Sequence, residues 1–510
     1  MKRMDSVAAS ARDNGVQRLT LRVLAGGLLM ALVAACSTGP TYKRPDVDTP
    51  QSFKEAPLPA SEAGTWKSAQ PSEAVQRGQW WTIFNDETLN KLEDEAASAN
   101  QDLKAAAARV RESRAGLDAA RSAWFPELGV GFGPTRERLS PASQGLPQNA
   151  YVPPVTLWRA QSTVSYEAPL FGRVSDNVAA SRADSQQSEA LFRSVQLALQ
   201  ADVASNYFSL RELDTEQDLY RRTVTLREEG LKLVKHRYDA GEVSELDLQQ
   251  ATNSLASAKS DAAGIARQRA ASEHALAVLL GKPPAEFSFS QQPLEPVLAR
   301  VPAGLPSSLL ERRPDIAAAE RAMAAANARV GLAKSAFFPQ LDITGAFGYE
   351  ASGLSQLFKW SSRTFLLGPF AGTALTLPIF DGGRRKADLT RARAQYDEQV
   401  ANYRQQVLNA FREVEDSLAD LRLLDDQIKA QNDAVNAAAR AEHLSEAQYR
   451  EGQVNYLDVL DSQRTVLLAQ RQASQLAGSQ AVATVSLIRA LGGGWGDMKP
   501  SGDTQQVAKQ

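Results

Sequence analysis

Three histidines, His236, His274 and His443, and one cysteine, Cys36, are the chain's whole stock of imidazole and thiol groups. The histidines lie far apart and no pair has metal-ligand spacing, so a zinc site is not expected. No glycine-rich phosphate loop is visible: Gly492-Gly493-Gly494 precedes Trp495 and suits a helix stop. An enzyme on a helical stalk would need a constellation that these residues do not offer. The expectation is therefore no catalytic residue, no metal and no cofactor. Carboxylates are more telling. Ser244-Glu245-Leu246-Asp247 has the spacing of a helix capping box, and Asn455 with Asp458 repeats it. Acids there also suit a helix dipole. Asp461 lies one turn further on, where no cap explains it, and is the acid left free for other work.

Cys36 closes the run Leu32-Val33-Ala34-Ala35-Cys36. Lys2, Arg3, Arg12, Arg18 and Arg22 make a basic start, and the apolar stretch from Val23 to Ala35 is too short to span a bilayer. That is the layout of an export signal. A lone cysteine is ordinarily a small buried residue or a spare thiol. This one follows an apolar residue and two small ones, which resembles the lipobox of bacterial lipoproteins, where the cysteine is acylated and becomes the first mature residue. Ser37 follows it, which in lipoproteins favours outer-membrane sorting. With no second cysteine, a disulfide within the chain is excluded.

The elements that must position these groups come in two copies. Ser122-Ala123-Trp124-Phe125-Pro126 recurs as Ser335-Ala336-Phe337-Phe338-Pro339, and Pro169-Leu170-Phe171 as Pro378-Ile379-Phe380. Tyr238, Gly241, Leu246 and Asp247 recur as Tyr449, Gly452, Leu457 and Asp458, and Gly281 as Gly492. Four matches in one order identify a tandem duplication. Each copy reads as an alanine-rich helix, a Phe-Pro step, two strands and a long arm. No proline falls between Leu170 and Lys282 or between Ile379 and Lys499, so very long helices are permitted. As a straight helix, the stretch from Arg173 to Tyr238 extends about 100 Å. Heptad seams run from Leu199 to Tyr238 and from Val407 to Val435, which means left-handed coiled-coil packing. Asn206, Asp425 and Asn432 dilute them.

In the second strand segment Trp158, Ala160, Val164 and Tyr166 alternate with Arg159, Gln161, Thr163, Ser165 and Glu167. Leu128, Val130 and Phe132 alternate with glycines, and Leu341, Ile343, Phe347 and Tyr349 with Gln340, Asp342 and Thr344; Phe365 to Phe380 alternates poorly. Trp124, Phe125, Phe171, Phe337, Phe338 and Phe380 bracket these strands like a membrane-interface girdle. Four strands cannot close a membrane barrel, and an open edge in lipid leaves unpaired backbone groups. Several chains must then pool strands, or the sheet is soluble and the helices form a periplasmic spacer. Near-balanced charge, −2 overall, gives no field for nucleic acid.

The combination resembles the outer-membrane efflux factors, TolC-like channels, in their lipoprotein branch. The matching elements are Cys36 with Gly39-Pro40-Thr41-Tyr42-Lys43-Arg44-Pro45, Trp80-Trp81-Thr82-Ile83-Phe84-Asn85-Asp86, the paired Phe-Pro and Pro-Leu-Phe/Pro-Ile-Phe steps, and Asp458-Val459-Leu460-Asp461. The resemblance implies an α+β membrane protein: a tandem-duplicated protomer of long coiled-coil helices plus four transmembrane strands. As a homotrimer it would form a twelve-stranded β-barrel continuous with a periplasmic α-helical barrel. Its partners would be a periplasmic adaptor, an inner-membrane RND-type pump and outer-membrane lipids, with no cofactor. The expected layout is a signal peptide at 1–35, a lipidated linker at 36–80, repeats at 81–285 and 286–499, and a flexible tail at 500–510. The loops 140–154 and 351–363 would face the exterior, and the turns at Gly241 and Gly452 the periplasmic tip. Carried over residue by residue, Asp247, Tyr449, Asp458 and Asp461 match gating positions. A basic residue of the TolC-type gate falls here on Val454, leaving Arg237 or Arg450 as substitutes.

Overall fold

The computed structural model describes residues 39–45, 50, 53–55, 79–295, 312–367 and 375–493. Cys36, the leader and the tail lie outside them. The two copies follow the same order of helix, strands, long arm and return helix. In the first, α1 (Glu87–Ala99) and α2 (Gln101–Ser122) lead to strands β1 (Glu127–Glu137) and β2 (Val155–Glu167), then to helices α3 (Arg173–Asp239) and α4 (Glu245–Leu279). In the second, α5 (Pro314–Ser335) leads to β3 (Gln340–Ala351), β4 (Arg363–Leu367) and β5 (Leu375–Thr376), then to α6 (Arg384–Arg450) and α7 (Tyr456–Ala490). Both long arms have 67 residues and both return helices 35, as a duplication requires. The chain divides into two compact units.

One unit holds residues 111–187 and 320–402 with the segment before 46. Its sheet is antiparallel, in the order β1-β2-β3-β4, with β5 also on β3. β4 and β5 pair with successive stretches of one side of β3, Phe347 opposite Phe365 and Leu341 opposite Leu375, so together they fill one strand position at that edge. Leu117, Val174 and Val178 form a small core beside the sheet. The Gly39-Pro40-Thr41-Tyr42 stretch lies on α5: Asn327 donates to the Pro40 carbonyl at 2.9 Å and Tyr42 to Glu320 at 3.3 Å. A Cβ on Gly331 would stand 2.5 Å from an Asp176 oxygen and 3.1 Å from the Gly39 Cα, so this approach needs glycine.

The other unit holds residues 46–110, 188–319 and 403–510. Its largest core gathers Trp80, Trp81, Leu89, Val203, Leu210, Leu276, Val485 and Ile488. Trp80 also donates to Gln200 at 3.0 Å. Asp86 caps α1 by accepting from the Thr88 and Leu89 amides at 2.8 and 3.0 Å. The heptad residues Leu199, Val203, Leu210, Tyr220 and Val234 are buried on α3, and Val407 and Val414 on α6. Tyr238 departs from the seam expectation and is 38 % exposed, since α3 ends one residue later.

Candidate functional site

Two features stand out, one in each unit. In the first unit the register sorts the sheet into two faces. Leu128, Val130 and Phe132 of β1 stand opposite Val164, Ser162 and Ala160 of β2, and these lie beside Gly345, Phe347 and Tyr349 of β3. Val130 is 89 % exposed and Phe132, Phe347 and Phe365 are exposed too, so the described residues leave much of this apolar face uncovered. The opposite face carries Arg159, Gln161, Thr163, Ser165 and Glu167 with Asp342, Thr344 and Glu350. There Arg159 pairs with Glu350 at 2.6 Å and with Glu137 at 3.6 Å, and Arg173 pairs with Glu167. One dry and one ionic face is the alternation of a barrel wall between lipid and a water-filled lumen. Of the aromatic bracket, Trp124, Phe125, Phe337 and Phe380 are exposed, while Phe171 stacks on Phe338 at 5.1 Å.

In the second unit the two helix-to-helix turns are built alike. After α3 the Gly241 amide donates to the Tyr238 carbonyl and Glu242 to that of Arg237, both at 2.9 Å. After α6, Gly452 donates to Tyr449 at 3.1 Å and Gln453 to Gln448 at 2.9 Å. Both glycines have positive φ, 75° and 73°, as this helix stop demands. The next helices begin with complete capping boxes, Ser244 with Asp247 and Asn455 with Asp458. Asp247 and Asp458 therefore both cap helix starts. Asp461 is exposed, and its carboxylate has no ion pair among the described residues.

Sequence reasoning named Arg237 and Tyr449 separately and missed that they join the turns. Arg237 of the first copy donates to the Tyr449 hydroxyl of the second at 2.9 Å, and its guanidinium lies 5.3 Å from that ring. The Tyr449 ring in turn meets Tyr456 at 5.6 Å, above a core of Val234, Ala251, Val459 and Leu460. The hydrogen bond from Arg237 to Glu242, with the Tyr449 contact, holds the guanidinium above its ordinary range, so it stays charged. Of the two substitutes for the basic residue absent at Val454, Arg237 makes this link, and Arg450 pairs with Glu446 at 3.5 Å.

A polar groove of about 640 Å³ also opens in this unit, lined by Ser209, Glu212, Glu216, Ser417, Asp420 and Gln475 among others. A Cβ on Gly478 would meet the Glu212 Cγ at 2.6 Å, so the glycine makes room for that acid. Burial, then repulsion from Glu216, pushes Glu212 up to about 7, while Glu216 accepts from Arg471 at 3.3 Å. Among the described residues no group of His, Cys, Asp and Glu could hold a metal ion.

The sequence pattern of the outer membrane efflux proteins matches the chain twice, over residues 92–282 and 305–493. The chain belongs to that family. The two matches fall one on each copy of the duplication. The efflux protein is 35 % identical over 484 residues to the toluene efflux pump outer membrane protein TtgF of Pseudomonas putida, covering 94 % of this chain and 98 % of the relative. It is 32 % identical over 467 residues to the cation efflux system protein CusC of Escherichia coli, covering 91 % and 96 %. The solved CmeC outer membrane channel of Campylobacter jejuni superposes with a TM-score of 0.82 at 25 % identity, covering 91 % of this chain and 96 % of that one. The long-helix and strand fold is thus that of outer-membrane efflux channels. The efflux protein is an outer-membrane component of an efflux system, with strands for the membrane and helices for the periplasm.

Proposed function

We propose that the efflux protein is the passive exit duct of a tripartite system, working as a homotrimer with a periplasmic adaptor and an RND-type inner-membrane pump. The observation that carries this is the sheet: four strands, one apolar and one ionic face, and open edges at β1 and β4. In lipid each unpaired backbone group costs several kcal/mol, so such a sheet must be closed by copies of itself. Three chains would supply twelve strands, within the range of outer-membrane barrels. Duplicated long helices support an α-helical barrel of six pseudo-equivalent arms beneath it. Catalysis has no place in this reading, because the duct supplies a path and the pump the energy.

Cys36 is the proposed acylation site, which adds a lipid anchor to the strands. Asp247, Tyr449, Asp458 and Asp461 belong to the proposed periplasmic gate, with different roles. Asp247 and Asp458 hold helix starts, Tyr449 ties the arms through Arg237, and Asp461 is the acid free to face the pore. Three copies of an acid near a closed axis attract cations. Cargo stays open: relatives named for toluene and for cations match at similar identity. The test is conductance of purified protein in planar bilayers, with mass measured on the same sample. Ion-conducting trimers are expected. A conducting monomer would overturn the pooling of strands, and a non-conducting trimer would favour a structural spacer.

A further inference from the structure

The two faces of the sheet treat arginine differently. On the ionic face Arg159 is matched by Glu137 and Glu350. On the apolar face, the register puts Arg136 of β1 opposite Thr156 and Arg363 of β4 opposite Tyr349. Neither is ion-paired among the described residues, and neither are their sequence neighbours Arg138 and Lys359. Arg136 sits two places beyond Pro134 and four beyond Phe132, at the end of β1 that leads into the loop 138–154. Arg363 opens β4, just after the loop that follows β3. Aromatic groups accompany both. The Arg138 guanidinium lies 5.5 Å from the Tyr151 ring, and Arg363 lies over Trp360, whose backbone oxygen it also bonds at 3.1 Å. Tyr151, Phe358 and Trp360 are all strongly exposed.

The distribution over the strands is as informative as the charge. The inner strands β2 and β3 place no charged residue on the apolar face: their residues there are Thr156 to Tyr166 and Ile343 to Ala351 at every second position. The cations are confined to the edge strands. Closing a barrel from copies of this sheet, which is the reading proposed above, puts β4 of one protomer beside β1 of the next. Each seam then collects Arg136 and Arg363, with Arg138 and Lys359 close in sequence, on the surface that faces lipid. An unpaired arginine there is costly in hydrocarbon but favourable at the headgroup level of an anionic leaflet, where tryptophan and tyrosine also settle. Arginine's planar fork suits two phosphate oxygens.

We propose that each seam between protomers is a seat for a phosphorylated lipid headgroup of the loop-side leaflet, gripped by Arg136 of one protomer and Arg363 of its neighbour. The lipid bridges two chains, so its occupancy supports assembly as well as anchoring. A cation beside an anionic headgroup is worth about fivefold in affinity, so losing both weakens retention by roughly thirtyfold.

The test uses full-length protein in mild detergent, titrated with a bis-phosphorylated lipid A and, separately, with its dephosphorylated form. Native mass spectrometry reads oligomeric state and lipid count in one spectrum. The parent should hold up to three phosphorylated lipids per trimer and few dephosphorylated ones. Millimolar inorganic phosphate should not displace them, because the acyl chains contribute. Arg136→Gln with Arg363→Gln should lose the retention, whereas Arg159→Gln, on the opposite face, should keep it. A trimeric double variant that holds the lipid as tightly as the parent overturns the seat. So does equal binding of the dephosphorylated lipid. A protein that is not a trimer in any arm overturns the seam together with the pooled barrel, and the same spectrum tells these failures apart.

Discussion

Arg237→Ala removes a polar link between the two tip turns, and its size can be worked from the contacts. The hydrogen bond from Arg237 to the Tyr449 hydroxyl, 2.9 Å long, contributes about 1 kcal/mol net. The cation–π contact at 5.3 Å, on a partly exposed site, adds about 0.5 kcal/mol. The ion pair with Glu242 at 3.1 Å lies within the first turn and does not cross to the second, so it drops out. A closed tip loses about 1.5 kcal/mol per protomer, a shift of roughly tenfold towards parted arms. Tyr449→Phe keeps the ring over Tyr456 and loses only the hydrogen bond, so its shift should be about fivefold. Glu242→Gln should leave the tip as it is. Open probability in single-channel recordings measures all three, with helical content and particle mass as controls for folding. An Arg237→Ala protein of native mass with the parent's open probability would refute the reasoning, because the link would then hold nothing shut.

Three further outcomes follow from named contacts. Asp458→Ala should cost about 1 kcal/mol of stability in chemical denaturation, because it breaks a complete capping box, whereas Asp461→Ala should leave stability unchanged and weaken cation selectivity and divalent block in single-channel recordings. Arg269→Ala should destabilise the protein by about 3–5 kcal/mol, read as a lowered denaturant midpoint, because buried Asp214 loses its 2.6 Å partner. Cys36→Ser should take up no labelled fatty acid when the parent does, and equal labelling would remove the proposed anchor.

How much of this was legible in the sequence depended on the range of the interaction. The capping boxes at Ser244 and Asn455 involve residues three apart, and that spacing is visible in a string of letters. The two-faced sheet was legible for the same reason: alternation at Trp158 to Glu167 is local, and pairing with β1 and β3 only extends it. The Arg237–Tyr449 link joins positions 212 apart and depends on how two arms pack. Arg211, Asp214, Arg269 and Glu273 pass in sequence for an ordinary solvated helix face. In the fold Arg269 bonds Asp214, Glu273 and the Phe289 carbonyl, while Arg211 holds the Ser290 carbonyl at 2.9 Å between the Tyr207 and Phe289 rings. That network fastens the segment after α4 to the helices. Its one sequence signal is that Arg211 and Asp214 directly follow the seam residues Leu210 and Leu213.

Duplication alone would make the two tip turns interchangeable, and the residues that differ between them show why they are not. Glycine, cap and capping acid are kept at equal positions, so each turn has the same backbone and the same helix start. The side chains diverge. Arg237 has Gln448 as its counterpart, and Asp461 has Gln250. Tyr449 is held by Arg237 and Tyr456, while its counterpart Tyr238 is exposed and meets no aromatic or cationic partner among the described residues. One contact of each pseudo-symmetric pair is thus made and the other omitted. In a ring of alternating arms such an arrangement ties arms into pairs within a protomer and leaves the boundaries between protomers without that link. A tip that widens by parting the two arms of a protomer must break the link that was kept, so the free energy of opening is set at Arg237 and Tyr449, and the acid added at Asp461 lies on the helix that begins beside it.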